Sequence, residues 1–120
     1  MSLSVPVNPV CPEFAVCGQI NVADVAVLAK QGYRSIINNR PDGEGGPDQP
    51  TSAQIEAAAK AAGLRYVHFP VPNLMISEQQ VQAYHQLCSD LPHPIVAFCR
   101  SGGRANALFQ ACGCKVGQAG

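Results

Sequence analysis

The clearest change of hydrophobic period falls near the C-terminal end. Ile95-Val96-Ala97-Phe98 is an unbroken apolar run of strand length that ends on Cys99. The small and charged residues Arg100-Ser101-Gly102-Gly103-Arg104 follow, and then an apolar, alanine-rich stretch, 105–111, that predicts a helix starting near Gly103. Upstream, Phe14 to Ile20 alternates weakly and predicts a first strand ending at Gly18. Asn21, with Asp24 three positions on, predicts a helix cap. Val22, Val25, Leu28 and Ala29 then recur at helical spacing, and Gly32 closes the helix. Arg34 to Asn38 predicts a short strand around Ile36 and Ile37. Thr51-Ser52-Ala53-Gln54 and Ser77-Glu78-Gln79-Gln80 are capping boxes. The first opens a helix over 52–62 stopped by Gly63. The second opens one reaching about Asp90, with Val81, Tyr84, Leu87 and Cys88 on one face. Between them, Leu64 to Phe69 predicts a strand ended by Pro70 and Pro72. Residues 1–13, broken by Pro6, Pro9 and Pro12, predict an irregular segment.

Strand and helix thus alternate four times. That order predicts an α/β fold, with a mostly parallel central sheet flanked by helices on both faces, as a single domain over residues 1–120. The strand ending at Cys99 should be central, and its loop should lie at the carboxyl edge of the sheet.

Composition narrows the classes. Hydrophobic residues are 47% of the chain and charged residues 13%, yet no apolar run approaches the ~18 residues of a membrane span. Net charge is zero, so no basic field invites nucleic acid. Met1 to Cys17 carries no Lys or Arg, which does not fit a signal peptide and leads to the expectation of a cytoplasmic protein. The 6 cysteines are then expected as free thiols. No Cys-x-x-Cys pair occurs and the histidines do not fall at ligand spacing, so neither a metal nor another cofactor is expected. Oligomeric state is open.

A strand, a glycine turn and a helix N-terminus together make an anion cradle. Backbone N–H groups point into the turn and the helix dipole adds positive charge. Cys99 at the lip of such a turn is expected as a thiolate, the reactive form, and Arg104 adds a planar fork for an oxyanion. The bland alternative is a buried structural cysteine with Arg104 solvated. Gly102 and Gly103 would supply the backbone, Arg100 the rim, and Ser101 a hydroxyl to the sulfur. The stretch Asn39 to Pro50 is a surface loop by composition and carries Arg40, Asp42, Glu44 and Asp48. It is either a solvated turn or a lid over the site. Arg40 either adds a second positive charge to the pocket or braces the loop against Asp42. Cys112 and Cys114 either resolve a modified Cys99 or are ordinary thiols. Cys17 and Cys88 are expected as small hydrophobes, His68 as core or sheet edge, and His85 as solvated.

Four segments carry a family resemblance: Val16-Cys17-Gly18-Gln19, Ile36 to Glu44 (Ile-Ile-Asn-Asn-Arg-Pro-Asp-Gly-Glu), Tyr66 to Val71, and Phe98 to Gly102. Together they resemble the phosphatase-like domain of the beta-lactamase hydrolase-like proteins, which is similar to dual-specificity phosphatases. The resemblance runs from about Val16 to Ala111. It implies a cysteine-phosphatase fold with Cys99 as nucleophile and Arg104 as the oxyanion-binding arginine. The sequence departs from the phosphatase pattern in four places. The Cys99–Arg104 loop is one residue shorter, Phe98 replaces a histidine, and Ala105 replaces a Ser or Thr. Asn73 stands where the general-acid Asp is expected. Asp42 and Glu44 are the carboxylates that could stand in for it. The shorter loop is similar to that of rhodaneses, which carry a persulfide on the cysteine. Three readings therefore stand: a thiol-dependent phosphatase, a sulfurtransferase, and an anion-binding module that docks a phosphorylated or sulfur-carrying partner.

Overall fold

Three four-residue strands are buried at every position, leaving no polar face for water, and such strands collect in the middle of a sheet. The computed structural model describes residues 3–73 and 75–111. Its elements run β1 (Val7–Cys11), β2 (Phe14–Cys17), α1 (Val22–Lys30), β3 (Ser35–Asn38), α2 (Ser52–Ala61), β4 (Arg65–His68), α3 (Glu78–Asp90), β5 (Ile95–Phe98) and α4 (Gly103–Ala111). The sheet order is β1-β2-β5-β3-β4, so the buried strands β2, β5 and β3 are the inner three. β5 pairs in parallel with both neighbours, placing Phe98 level with Cys17 and with Asn38. β4 pairs in parallel with β3. The mixed α/β sheet expected from the alternation is present, with β5 central.

Strand alternation divides the core. Ile36, Val96 and Phe98 pack with Val25 and Leu28 of α1 and Ile55 and Ala59 of α2. Ile37, Ile95 and Ala97 pack on the other face with Tyr84 and Cys88 of α3 and Leu108 and Phe109 of α4. Phe14 stacks on Phe109 with ring centroids 4.4 Å apart, which pins α4 and the loop before it to the sheet.

The three predicted caps all form, because each needs only a side chain and an N–H three residues away. One of them does more. Asp24 accepts from the Asn21 N–H at 2.9 Å, from the Ser4 N–H at 2.8 Å and from the Ser4 hydroxyl at 2.6 Å. It is 3% exposed, and it ties the N-terminal segment to α1. Burial acts to raise its pKa, but the bonds from Asn21 and Ser4 outweigh this and lower it.

Two expectations need correction. Residues 1–13 are not irregular throughout: β1 runs antiparallel to β2 at the sheet edge, with a register shift between Pro9 and Cys11. An edge strand tolerates Pro9 because only one side of it must pair. Val22 is not on the packed face of α1 but 47% exposed in its first turn, and Val27 is buried instead. Cys112 and Cys114 lie outside the described residues. No described helix is long and apolar enough to cross a membrane.

Replacing Asp24 with Ala is expected to cost about 1–2 kcal/mol of stability, since it removes a cap and a partly buried anchor together. Urea denaturation at neutral pH measures this, and a shift of the midpoint to lower urea at unchanged slope is the expected result.

Candidate active site

The loops after β2, β3, β4 and β5 converge at the carboxyl edge of the sheet, where the topology of open α/β sheets places ligands. The turn after β5 is tight. Gly102 has φ +94°, and a Cβ there would stand 3.3 Å from the carbonyl carbon and oxygen of Cys17. The neighbouring Gly18 lies as closely against this turn, and the Gln19 N–H donates to the Arg100 carbonyl at 3.2 Å. The Gly102 N–H points inward and donates to Cys99 Sγ at 3.1 Å. It takes the place predicted for Ser101, which is exposed with its Oγ 3.5 Å from the Gly103 nitrogen. Cys99 is 1% exposed, so the sulfur sits beneath the turn rather than at its lip. The Cys17 thiol beside it is pushed up to about 12, by burial first and then by Asp24 and Cys99, and stays protonated.

Arg104, in the first turn of α4, folds back over the site. Its Nη1 donates to Glu44 Oε2 at 2.6 Å and to the Val71 carbonyl at 2.8 Å, and its Nη2 donates to Glu44 Oε1 at 2.6 Å. This is a bidentate Arg–carboxylate pair, the strongest geometry for such a contact. Glu44 first, then the Cys99 sulfur, hold the guanidinium above its ordinary pKa, while burial acts to lower it. Glu44 Oε1 also accepts from Arg40 Nε at 2.9 Å. The bonds from Arg104, followed by those from Arg40, hold the Glu44 carboxyl at about 2 against burial.

The structure therefore redraws the roles expected for the loop after β3. Arg40 is 7% exposed and does brace the loop, but its partner is Glu44 and not Asp42. Asp42 is turned away from Cys99: its Oδ1 accepts from the Ser52 N–H at 2.7 Å, at the start of α2. Glu44 faces the site as an ionised carboxylate with no proton to donate. Most of the loop is exposed to solvent, as in a solvated turn, but Gln49 closes it internally, donating to the Pro41 carbonyl at 2.9 Å and accepting from the Gly45 N–H at 2.6 Å. His68 lies on the edge strand β4, as expected, with Nε2 donating to the Arg40 carbonyl at 2.8 Å.

Above this floor opens a pocket of about 450 Å³ lined by Pro72, Asn73, Arg100, Ser101, Gly103 and Arg104. Arg100 is exposed at its rim, as expected. Asn73 Oδ1 accepts from the Met75 N–H at 2.8 Å, and no carboxylic acid lines the pocket among the described residues. A second cavity of about 380 Å³, at the other end of the sheet, has no arginine or carboxylate in its wall. No group of three His, Cys, Asp or Glu that could hold a metal occurs among the described residues. The sequence reading did not single out Gln19 or the Val71 carbonyl. Both lie in segments that carry the family resemblance, each just beyond the carboxyl end of a predicted strand.

A mostly parallel sheet with a cysteine, a glycine turn and an arginine between its central strand and the next helix is the arrangement expected of a phosphatase-like domain. The chain belongs to the family described as "Beta-lactamase hydrolase-like protein, phosphatase-like domain", whose model matches residues 7–120. It is 42% identical over 78% of its length to the beta-lactamase hydrolase-like protein of Agrobacterium fabrum, and 41% identical over 79% to that of Xylella fastidiosa. It spans only 22% of either relative. Among solved structures it is similar to a protein of Neisseria meningitidis assigned as a phosphatase, with a TM-score of 0.78, 32% identity, and 85% of this chain and 72% of that one covered. Tk-PTP shares the fold at a TM-score of 0.63 and 12% identity, covering 88% of this chain and 79% of that one.

Glu44 predicts a pH dependence. Its carboxyl is lowered from 4.5 to about 2 in the folded chain, so its stabilising contribution is complete above the unfolded value and is lost as pH falls through the folded one. The stability difference between wild type and Glu44→Gln is therefore expected to be constant above about pH 5 and to shrink toward about pH 2. Denaturant titrations of both proteins across that range measure it.

Proposed function

We propose that the domain is a cysteine-dependent phosphatase-like hydrolase. The observation that carries this reading is Cys99 Sγ held by the Gly102 N–H at 3.1 Å in the turn whose following helix places Arg104 in the wall of the pocket above. In the first step Cys99, as thiolate, attacks phosphorus. An S–P bond forms as the P–O bond to the leaving group breaks, and the electron pair leaves with that oxygen. Arg104 and the turn's N–H groups bear on the charge that builds on the other phosphoryl oxygens. In the second step water attacks phosphorus, the S–P bond breaks, and phosphate leaves with the thiolate restored. Nothing in the pocket protonates the first leaving group, because Asn73 has no acidic proton and Glu44 is ionised. Substrates with weakly basic leaving groups, such as aryl phosphates, fit this site best.

A second reading is favoured by that missing acid together with the short turn. In sulfur transfer the Cys99 thiolate attacks the outer sulfur of a donor such as thiosulfate. A new S–S bond forms, the old bond breaks, and the donor leaves as sulfite without needing a proton. A thiophile such as cyanide then takes the sulfur and restores the thiolate. A binding module, the third reading, would show neither turnover. Localisation in the cytoplasm and a phosphorylated substrate belong to the proposal.

Offering the protein an aryl phosphate and, separately, thiosulfate with cyanide distinguishes these. Phosphate release that disappears in Cys99→Ser is the expected result; thiocyanate release that disappears in that variant instead would transfer the proposal to sulfur. If the phosphatase reading holds, Asn73→Asp should raise turnover of alkyl phosphates by ~10–10² while leaving aryl phosphates little changed, since it supplies the absent acid. Equal effects on the two substrates would count against that assignment.

A further inference from the structure

Arg40 is a buried guanidinium 7% exposed, and it does not line the pocket. Burying a cation is unfavourable unless it is paired, and its charged partner here is the carboxylate that also clamps Arg104. Its Nη1 donates to Gln19 Oε1 at 3.1 Å, and the Gln19 N–H in turn holds the Arg100 carbonyl of the active-site turn. Gly45 packs flat against the guanidinium: a Cβ there would meet Nη2 at 2.5 Å. The Arg40 N–H is fixed by Asn38 Oδ1 at 2.9 Å and its carbonyl by His68. Every end of this residue is held.

Two arginines and one carboxylate leave this cluster with one net positive charge, separate from that of Arg100 at the pocket rim. Without Arg40, Glu44 would neutralise Arg104 outright and the turn would lose that field. We infer that Arg40 is a positioning residue for the anion site: by sharing Glu44 with Arg104 it fixes the orientation of the Arg104 fork and keeps the Arg40–Glu44–Arg104 cluster one charge positive. Arg40 acts through Glu44 and not by touching substrate. This extends the proposed function, because it rests on Cys99 and Arg104 forming an anion site, but it does not depend on which group is transferred.

The arrangement is testable as a charge cycle. Inorganic phosphate binding is measured by calorimetry. Thiolate ultraviolet absorbance, taken as the difference from Cys99→Ser, is read at the pH where the wild-type signal is half its maximum. Arg40→Gln is expected to weaken phosphate binding about tenfold and to lower the thiolate signal, because one opposing charge is lost near the anion. Glu44→Gln should raise the thiolate signal. The double variant Arg40→Gln/Glu44→Gln carries the wild-type charge and should return the signal toward wild type, although no arginine has been restored. Arg40→Lys keeps the charge and should hold phosphate affinity within a few-fold of wild type. A folded Arg40→Gln that binds phosphate within twofold of wild type overturns the inference. So does a double variant whose signal is no closer to wild type than that of Arg40→Gln. Should Arg40→Gln not fold, an unchanged thiolate signal in Glu44→Gln overturns it equally. Turnover insensitive to Cys99→Ser would sink the phosphatase reading instead, and phosphate binding that still followed the Arg40 and Glu44 substitutions would leave this inference standing.

Discussion

The chain has to pass from a fully buried central strand into a helix within four residues, and it does so directly over the backbone of Cys17. Only a residue without a side chain fits at 102, where φ is positive and a Cβ would press on the Cys17 carbonyl. That turn aims the Gly102 N–H at the Cys99 sulfur and starts α4 at Gly103, so that Arg104 falls in its first turn. The stacked rings of Phe14 and Phe109 hold α4 against the sheet and keep the turn closed. The geometry of the turn thus follows from packing beneath it as much as from the residues that form it.

Above the turn the controlling feature is a carboxylate with two cations. A single surface ion pair contributes little to stability, but here Arg40 is buried and the Arg104–Glu44 contact is bidentate at 2.6 Å. Glu44 is therefore fixed as an anion that carries no proton to give. The side chain at 73 is an amide engaged with Met75.

Much of this was legible before any fold was known. The three capping boxes could be read because each closes within four residues. The turn after β5 could be read because its strand, glycines, arginine and helix are contiguous. β1 could not, because Pro9 breaks its pattern and its only claim to being a strand is its pairing with β2. Asp42 and Glu44 looked equivalent from their shared loop. In the fold they face opposite ways, one to the Ser52 N–H and one to Arg104. Arg40 could be read from its loop as a second positive charge in the pocket or as a brace to Asp42, and only the fold shows it buried and paired with Glu44.

The amino-acid order alone determined the run of elements from β2 to α4, the central place of the strand ending at Cys99 and the turn between that strand and α4. These depend on interactions between near neighbours and on apolar periodicity. Which carboxylate meets which arginine was decided only by the tertiary structure. Glu44 and Arg104 are 60 residues apart, and they meet because β3 lies beside β5 in the sheet, which brings their two loops to one edge. Charge pairing across such a span carries no local pattern, so the physical reason for its partners is strand order.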